Sequence, residues 1–364
     1  MNKKQIQSAL EILPPLKKIT KKKAPVMKGY DTTDKEIQRA WKQDRQLTLY
    51  LYLGAKCNLR CLYCFTRGGI LTKNNLTEKE YKRIIDEAFE LGVKRVMFTG
   101  RGEPLFYLPL LKKLLKYIKG KGGWNIVLTN AILMTPKIAK DLYNLNCSIM
   151  TKINSFNPKV QDELVGVPGS AQKMYRGLNY LIQAGFSKTI PTRLANDNLI
   201  CKTNYKEIPF MVQYFTSHNI QYIMEKILWM GRAVDNIDKL KITKEELNEL
   251  LKELKKKSVE GVSCYWSEGT YFSGEECMVD TITILVNEKG DIMPCWAREG
   301  LAVGNIRNSS LKNLWYNPYL IQLRKEHRKI IKLVKKGEMP PRECPGRCYA
   351  KEILKKKGID ISKL

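Results

Sequence analysis

The chain has 364 residues, 43% apolar and 9% aromatic, enough for one large core or two unequal ones, which excludes a disordered or collagen-like polymer. Its 64 Lys and Arg against 36 Asp and Glu leave a formal charge of +28; that field favours acidic partners such as nucleic acid, phosphorylated substrates, anionic membranes or acidic peptides, and solvated Lys-rich helix faces account for it equally well. No apolar run reaches membrane-spanning length and no signal peptide is visible at MNKKQIQSALEILPPLKK, so no membrane partner and a cytoplasmic location are expected, where ten cysteines point to metal ligation and not to disulfides.

Residues 1–45 are Lys-rich, contain Pro14, Pro15 and Pro25, and lack a sustained period, so they read as a basic N-terminal extension. From Leu47 short β-rich runs alternate with amphipathic helical stretches. LTLYLYLG (47–54) precedes a helix near 77–91, VKRVMFTG (93–100) one near 107–119, and NIVLTN (125–130) one at 136–145. SIMTKINSF (148–156) then precedes 170–185, KTIPTRLA (188–195) precedes 205–218, and IQYIMEKI (220–227) closes the series. Six such units over 46–234 predict an α/β fold, a parallel sheet wound into a partial (β/α)6 TIM-like barrel. Thr77 with Glu80 forms a capping-box pattern at the first helix. A second, smaller domain is expected over 235–364. It contains a charged helix (243–257) and the hairpin TITILVNEKGDIMPC, with its turn at Asn287 to Gly290.

Directly after the first expected strand, GAKCNLRCLYCF places Cys57, Cys61 and Cys64 in CxxxCxxC spacing. Such a loop can converge three thiolates on one centre; three ligands for a four-iron cube leave one iron open, a catalytic feature, whereas structural sites are closed. A zinc site or buried free cysteines are the alternatives. Zinc usually wants a fourth Cys or His nearby, and the only histidines are His218 and His327.

This loop, with an aromatic residue before its last cysteine, resembles the radical S-adenosylmethionine (SAM) superfamily. The resemblance implies that the open iron of a [4Fe–4S] cluster chelates the amino and carboxylate groups of SAM. Electron transfer from an external reductant such as flavodoxin or ferredoxin then releases a 5′-deoxyadenosyl radical that abstracts a substrate hydrogen. Gly100, Arg101, Gly102, Glu103 and Pro104 after strand two resemble the family's GGEP motif, which receives the methionine ammonium. Arg101 stands where the family usually has Gly, and puts a positive side chain near the cavity. Tyr63 occupies the position that meets adenine in relatives. The resemblance further points to Asn130 at the end of strand three, Lys152 and Ser155 at strand four, Arg193 on strand five, and Met224 and Glu225 on strand six as SAM contacts, since sites form at the C-terminal ends of barrel strands. Each also has an ordinary reading as a strand-end polar residue.

Cys277, twelve residues, Gly290, four residues and Cys295 form a Cx12Gx4C pattern whose hairpin brings the two cysteines together; Cys344 and Cys348 in ECPGRC supply two more thiolates. Four cysteines close a four-iron site or a structural Zn(Cys)4 site. The pattern resembles the twitch/SPASM-like auxiliary-cluster domains of radical SAM enzymes, with cysteines for one auxiliary [4Fe–4S] cluster. Cys147 and Cys201 are left over, Cys147 as a core residue. Cys264 in CYWSEGTYF is a candidate catalytic hydrogen-atom donor, an extra ligand or a buried thiol.

Enzymes of this architecture commonly oxidise, cross-link or epimerise a peptide, and that is the leading expectation, with a basic surface suited to an acidic leader. Dehydrogenation or epimerisation of a carbohydrate or aminocyclitol in natural-product biosynthesis is the runner-up, so the substrate is a peptide or a small molecule. RNA modification is third, and a non-enzymatic metal-binding protein that binds nucleic acid is the rival class.

Overall fold

The computed structural model describes residues 3–18, 24–256, 279–295, 301–339 and 355–356. Helices α1 (Lys3–Ile12) and α2 (Asp34–Lys42) lie in the expected extension, and β1 (Thr48–Tyr52), α3 (Glu78–Glu90), β2 (Arg95–Thr99), α4 (Leu108–Gly120), β3 (Trp124–Thr129) and α5 (Pro136–Asn144) then follow the expected alternation. Next come β4 (Cys147–Thr151), α6 (Pro158–Val165), α7 (Ser170–Gln183), β5 (Leu194–Leu199), α8 (Ile208–Ser217) and β6 (Gln221–Glu225). The C-terminal part holds α9 (Ile237–Leu240), α10 (Lys244–Lys256), α11 (Val279–Ile282), β7 (Thr283–Val286), β8 (Asp291–Met293), β9 (Gly304–Asn305), α12 (Leu311–Trp315) and α13 (Pro318–Lys335). Among the described residues no helix is long and apolar enough to cross a membrane.

The chain packs as two compact units assembled from separated segments. One comprises Met1–Asp31, Cys57–Gly68 and Val127–Trp266, the other Thr32–Lys56, Gly69–Ile126 and Ser267–Leu364. These units cut across the linear division at 45 and near 235 expected from composition.

In the second unit β2 and β1 are parallel, β1 also pairs parallel with β7, and β8 and β9 continue antiparallel. Every residue of β2 is buried, as a parallel strand covered on both faces requires. The Asn287–Gly290 turn is the expected one: Gly290 takes φ +91°, and the Asn287 side-chain oxygen accepts from the Lys289 and Asp291 amides at 2.9 Å each. The hairpin extends a sheet through β1 instead of standing alone. Asp44, after α2, accepts from Arg324 at 2.8 Å and Arg328 at 2.7 Å, which fixes α13 beside α2.

Thr77 caps α3 as its sequence predicts: its hydroxyl accepts from the Glu80 amide at 3.3 Å and Glu80 accepts from the Thr77 amide at 2.7 Å. Arg307 grips Glu80 at 2.6 Å, and its hydrogen bond is the main cause that lowers the Glu80 carboxyl to about 2. Thr77→Ala is expected to cost about 1 kcal/mol in denaturant titration. A depressed carboxyl stabilises the fold above its ordinary value and loses that contribution as pH falls through the folded value, so Glu80→Gln should flatten the acid limb of stability between 4.5 and about 2.

In the first unit β4, β5 and β6 are parallel neighbours. Strand β5 begins at Leu194, at the end of the run 188–195 expected for it, because Pro191 lacks an amide hydrogen and Thr192 pairs instead with Met27. Its residues Asn196, Asp197 and Asn198 are buried. Asn196 accepts from the Ile153 amide at 3.0 Å and donates to the Ile153 carbonyl at 2.9 Å, so a polar strand fixes the segment that leaves β4.

Candidate active site

The three-cysteine loop is held by its backbone. The Arg60 and Leu62 amides donate to the carbonyls of Val165 and Leu164 at the end of α6, at 2.9 Å each. Gly166 lets that end approach, since a Cβ there would lie 2.5 Å from the Arg60 carbonyl oxygen. From the segment after β6, Arg232 donates through Nε to the Cys61 carbonyl at 2.9 Å, through its amide to the Cys64 carbonyl at 2.9 Å, and through Nη1 to the Gly68 carbonyl at 3.1 Å. Gly231 has φ +57°, and any side chain there would strike the Phe65 and Cys64 carbonyls. Asn130 at the end of β3 donates to Asn58 inside the loop at 2.8 Å. Arg232, Asn58 and Gly166 were not singled out from the sequence; the only hint was a Gly-Arg pair shortly after a strand end.

Within this frame Cys57, Cys61 and Cys64 form no disulfide and are partly exposed. The Leu59 amide points at Cys57 Sγ (3.5 Å) and the Gly68 amide at Cys64 Sγ (3.3 Å), contacts of the kind that tune iron–sulfur centres. The Cys61 thiol is pushed up to about 12, first by burial and then by the neighbouring Cys64 and Cys57. Cys61 therefore holds its proton until a metal centre displaces it. Among the described residues no three His, Cys, Asp or Glu side chains meet closely enough to hold one metal ion. Three thiols in one loop, two of them met by backbone amides, are a donor set that suits an iron–sulfur centre.

Around the loop, the Tyr63 hydroxyl accepts from Asn154 at 2.7 Å and bonds the Cys61 thiol; burial first, and then Cys61, raises it well above its ordinary value. Lys152, just after β4, reaches Asp197 of β5 at 2.5 Å and Glu225, the last residue of β6, at 3.7 Å. Burial works against its charge, but the carboxylates outweigh it and hold the Lys152 ammonium above its ordinary range. Ser155 is fully buried and donates to Glu207 at 2.8 Å, while its oxygen accepts from the Asn157 amide at 2.9 Å. Its hydroxyl thus anchors the start of α6, which differs from the exposed strand-end contact expected of it.

Arg193 requires a correction. It precedes β5, at the opposite end of the strand from the expected site, and donates to the Cys147 and Tyr143 carbonyls at 2.6 and 2.7 Å while stacking on Tyr143. Five carbonyl and ring contacts of this sort make it a packing residue of the strand bottoms. Cys147 and Cys201 are both fully buried. Met224 lies buried within β6.

In the second unit, Gly100 takes φ +121°, with the Tyr52 ring 2.2 Å from where a Cβ would stand. Gly102 is pressed on the carbonyls of Lys56 and Gly54, at 2.5 and 2.6 Å from such a Cβ. The Glu103 amide donates to the Lys56 carbonyl at 2.8 Å, and the buried Glu103 carboxylate accepts from the Leu105 amide at 3.1 Å. Arg101, expected to project toward a cavity, instead faces the β7–β8 turn, 3.7 Å from Glu288, which is 1% exposed. Of the second cysteine set Cys295 follows β8, partly exposed and outside any disulfide. Cys264, Cys277, Cys344 and Cys348 lie outside the described residues.

Residues 51–209 match the model of the Radical SAM superfamily and residues 277–349 that of the SPASM iron–sulfur cluster-binding domain. The chain is similar to a tungsten-containing aldehyde ferredoxin oxidoreductase cofactor-modifying protein of Pyrococcus furiosus, 23% identical over 301 residues, covering 73% of this chain and 80% of the relative. It is similar also to a PqqA peptide cyclase of Bradyrhizobium diazoefficiens, 24% identical over 289 residues, covering 74% and 73%. Streptococcus suis SuiB bound to its precursor peptide SuiA shares the fold, with a TM-score of 0.60 and 19% identity over 79% of this chain and 69% of that one. The chain belongs to the radical SAM superfamily, an enzyme whose cofactors are SAM and a [4Fe–4S] cluster, with a C-terminal SPASM domain for auxiliary iron–sulfur.

Proposed function

We propose that this enzyme modifies a peptide by hydrogen abstraction, through oxidation, cross-linking or epimerisation. The observation that carries this reading is the extended likeness, over 74% and 79% of the chain, to a peptide cyclase and to a fold neighbour that holds a precursor peptide. When bound, the cluster and SAM supply the abstracting radical. Cys57, Cys61 and Cys64 hold the catalytic cluster, and Tyr63, donating to Cys61, and Lys152, held cationic by Asp197 and Glu225, set its surroundings. Gly100, Gly102 and Glu103 of the second unit are residues for SAM, as are Asn130 and Glu225 of the first, whereas Arg101 is engaged by Glu288. Glu103 is the group for its ammonium because the carboxylate is buried and oriented by the Leu105 amide. Cys277, Cys295, Cys344 and Cys348 hold an auxiliary cluster in a C-terminal domain, Cys264 is a candidate hydrogen-atom donor, and a flavodoxin or ferredoxin supplies the electron.

The test is isotope transfer. Anaerobically reconstituted enzyme is reduced and given SAM with deuterated peptides encoded beside its gene, and 5′-deoxyadenosine is analysed by mass. Deuterium in that product together with a mass change in the peptide is the expected result. Transfer from deuterated aminocyclitols, sugars or RNA, with none from any peptide, would overturn the reading.

A further inference from the structure

Helices α2 and α13 of the second unit enclose an open groove of about 630 Å³ whose charged lining is entirely cationic: Lys42, Lys325, Arg328, Lys329, Lys332 and Lys336. Four of these recur along α13 at helical spacing, from 325 to 332, and Lys336 is its C-cap, so the five follow one face over ~16 Å. Arg328 is paired with Asp44 and Lys336 reaches Glu338 at 3.5 Å. Lys42, Lys325, Lys329 and Lys332 are exposed and make no ion pair among the described residues.

Four like charges gathered around one concavity repel one another, and an anionic occupant relieves that repulsion. The frame is rigid where it matters: Arg324, 1% exposed, holds α13 to Asp44 and stacks on Trp315 at 3.8 Å. The floor decides between classes of polyanion. Trp41 lines the groove, yet the residue is 8% exposed, packed with Ile37, Ala40, Leu47 and Ile331, and its Nε1 donates to Thr281 at 3.1 Å. It offers no free face on which a nucleic-acid base could stack, the usual anchor for single strands. Leu333 adds apolar lining beside the cations. Cations flanking a partly apolar floor suit a peptide that alternates acidic and apolar side chains, and ~16 Å accommodates about five residues of extended chain.

We propose that the α2–α13 groove docks an acidic segment of the peptide substrate, away from the residues that are modified; this rests on the peptide reading above. The test uses the reconstituted full chain and a fluorescein-labelled peptide rich in Glu and Leu, followed by anisotropy. Lys329→Glu with Lys332→Glu, and separately Lys42→Glu from the opposite wall, are expected to weaken binding by about 10-fold or more at low ionic strength, with the difference shrinking as salt is raised. SAM cleavage in the absence of substrate should be unchanged in both variants, which also reports that they fold and load iron. Equal binding by wild type and both variants overturns the groove, as does a single-stranded RNA oligomer that binds more tightly than the peptide and is lost on the same charge reversals. The isotope-transfer experiment reads the reaction independently: a peptide modified equally by the charge-reversed variants removes the groove and keeps the peptide reading. Peptide binding that is lost on charge reversal, with deuterium coming only from a non-peptide substrate, overturns the peptide reading and the docking role together.

Discussion

Replacing Cys57, Cys61 and Cys64 together by alanine is expected to leave a folded chain that forms no 5′-deoxyadenosine above background. The folding half of this expectation follows from how the loop is held. Its anchors are the carbonyls of Arg232's partners Cys61, Cys64 and Gly68, and the amides of Arg60 and Leu62, none of which is a thiol. The three cysteines form no disulfide, so no cross-link is lost. The catalytic half follows from chemistry: without three thiolates no cluster with an open iron can assemble, and the electron has no route to the sulfonium of SAM. Iron per chain should fall from about eight to about four if the SPASM cysteines load one cluster independently. Circular dichroism, iron analysis and product assay on one preparation check all three points. Retained SAM cleavage would remove the loop from the mechanism.

Much of this arrangement can be read directly from the amino-acid pattern. Strands β1 to β3 and β6, and helices α3, α4, α5, α7, α8 and α10, fall within a few residues of where apolar periodicity and turn residues put them, because buried parallel strands and amphipathic helices carry strong local signals. The loop cysteines and the Gly100–Glu103 segment are equally visible, since ligand spacing and close backbone approach leave few residue choices. Strand β5 was displaced for a physical reason. LANDNL looks like a turn in sequence, and side-chain bonds to the Ile153 backbone and Thr151 make burial of Asn196 and Asn198 tolerable. Helix α1 was hidden likewise: its buried residues Ile6 and Ala9 give one short apolar stripe in a Lys-rich stretch. Arg193 was misassigned through the same displacement, because moving the strand start to Leu194 moves Arg193 from the top of the strand to its foot. The anchoring role of Arg232 has no local signature at all, since its partners are backbone carbonyls some 170 positions away.

Lys152→Met should separate a structural from a positioning role at the strand tops. Asp197 is 4% exposed, Lys152 is its ion-pair partner at 2.5 Å, and its second oxygen accepts no hydrogen bond. Removing the lysine alone leaves a buried carboxylate uncompensated, at a cost of about 3 kcal/mol or more. The Lys152 contribution is wholly present at neutral pH: a raised ammonium stabilises the fold below its ordinary 10.5 and loses that effect only as pH climbs through the higher folded value. Adding Asp197→Leu removes the stranded charge, and the double variant should recover most of the lost stability in a thermal or denaturant melt. Function should not recover with it. Lys152 also orients Glu225, 3.7 Å away, and lies within electrostatic reach of Cys61. With the cation gone, the KM for SAM is expected to rise by about 10- to 100-fold, and the cluster potential should move to more negative values because a nearby positive charge favours the reduced form. A double variant that regains stability, SAM affinity and potential together would reduce the pair to packing. Recovery of stability alone identifies Lys152 as the residue that holds the strand-end carboxylates in register with the cysteine loop of its own unit.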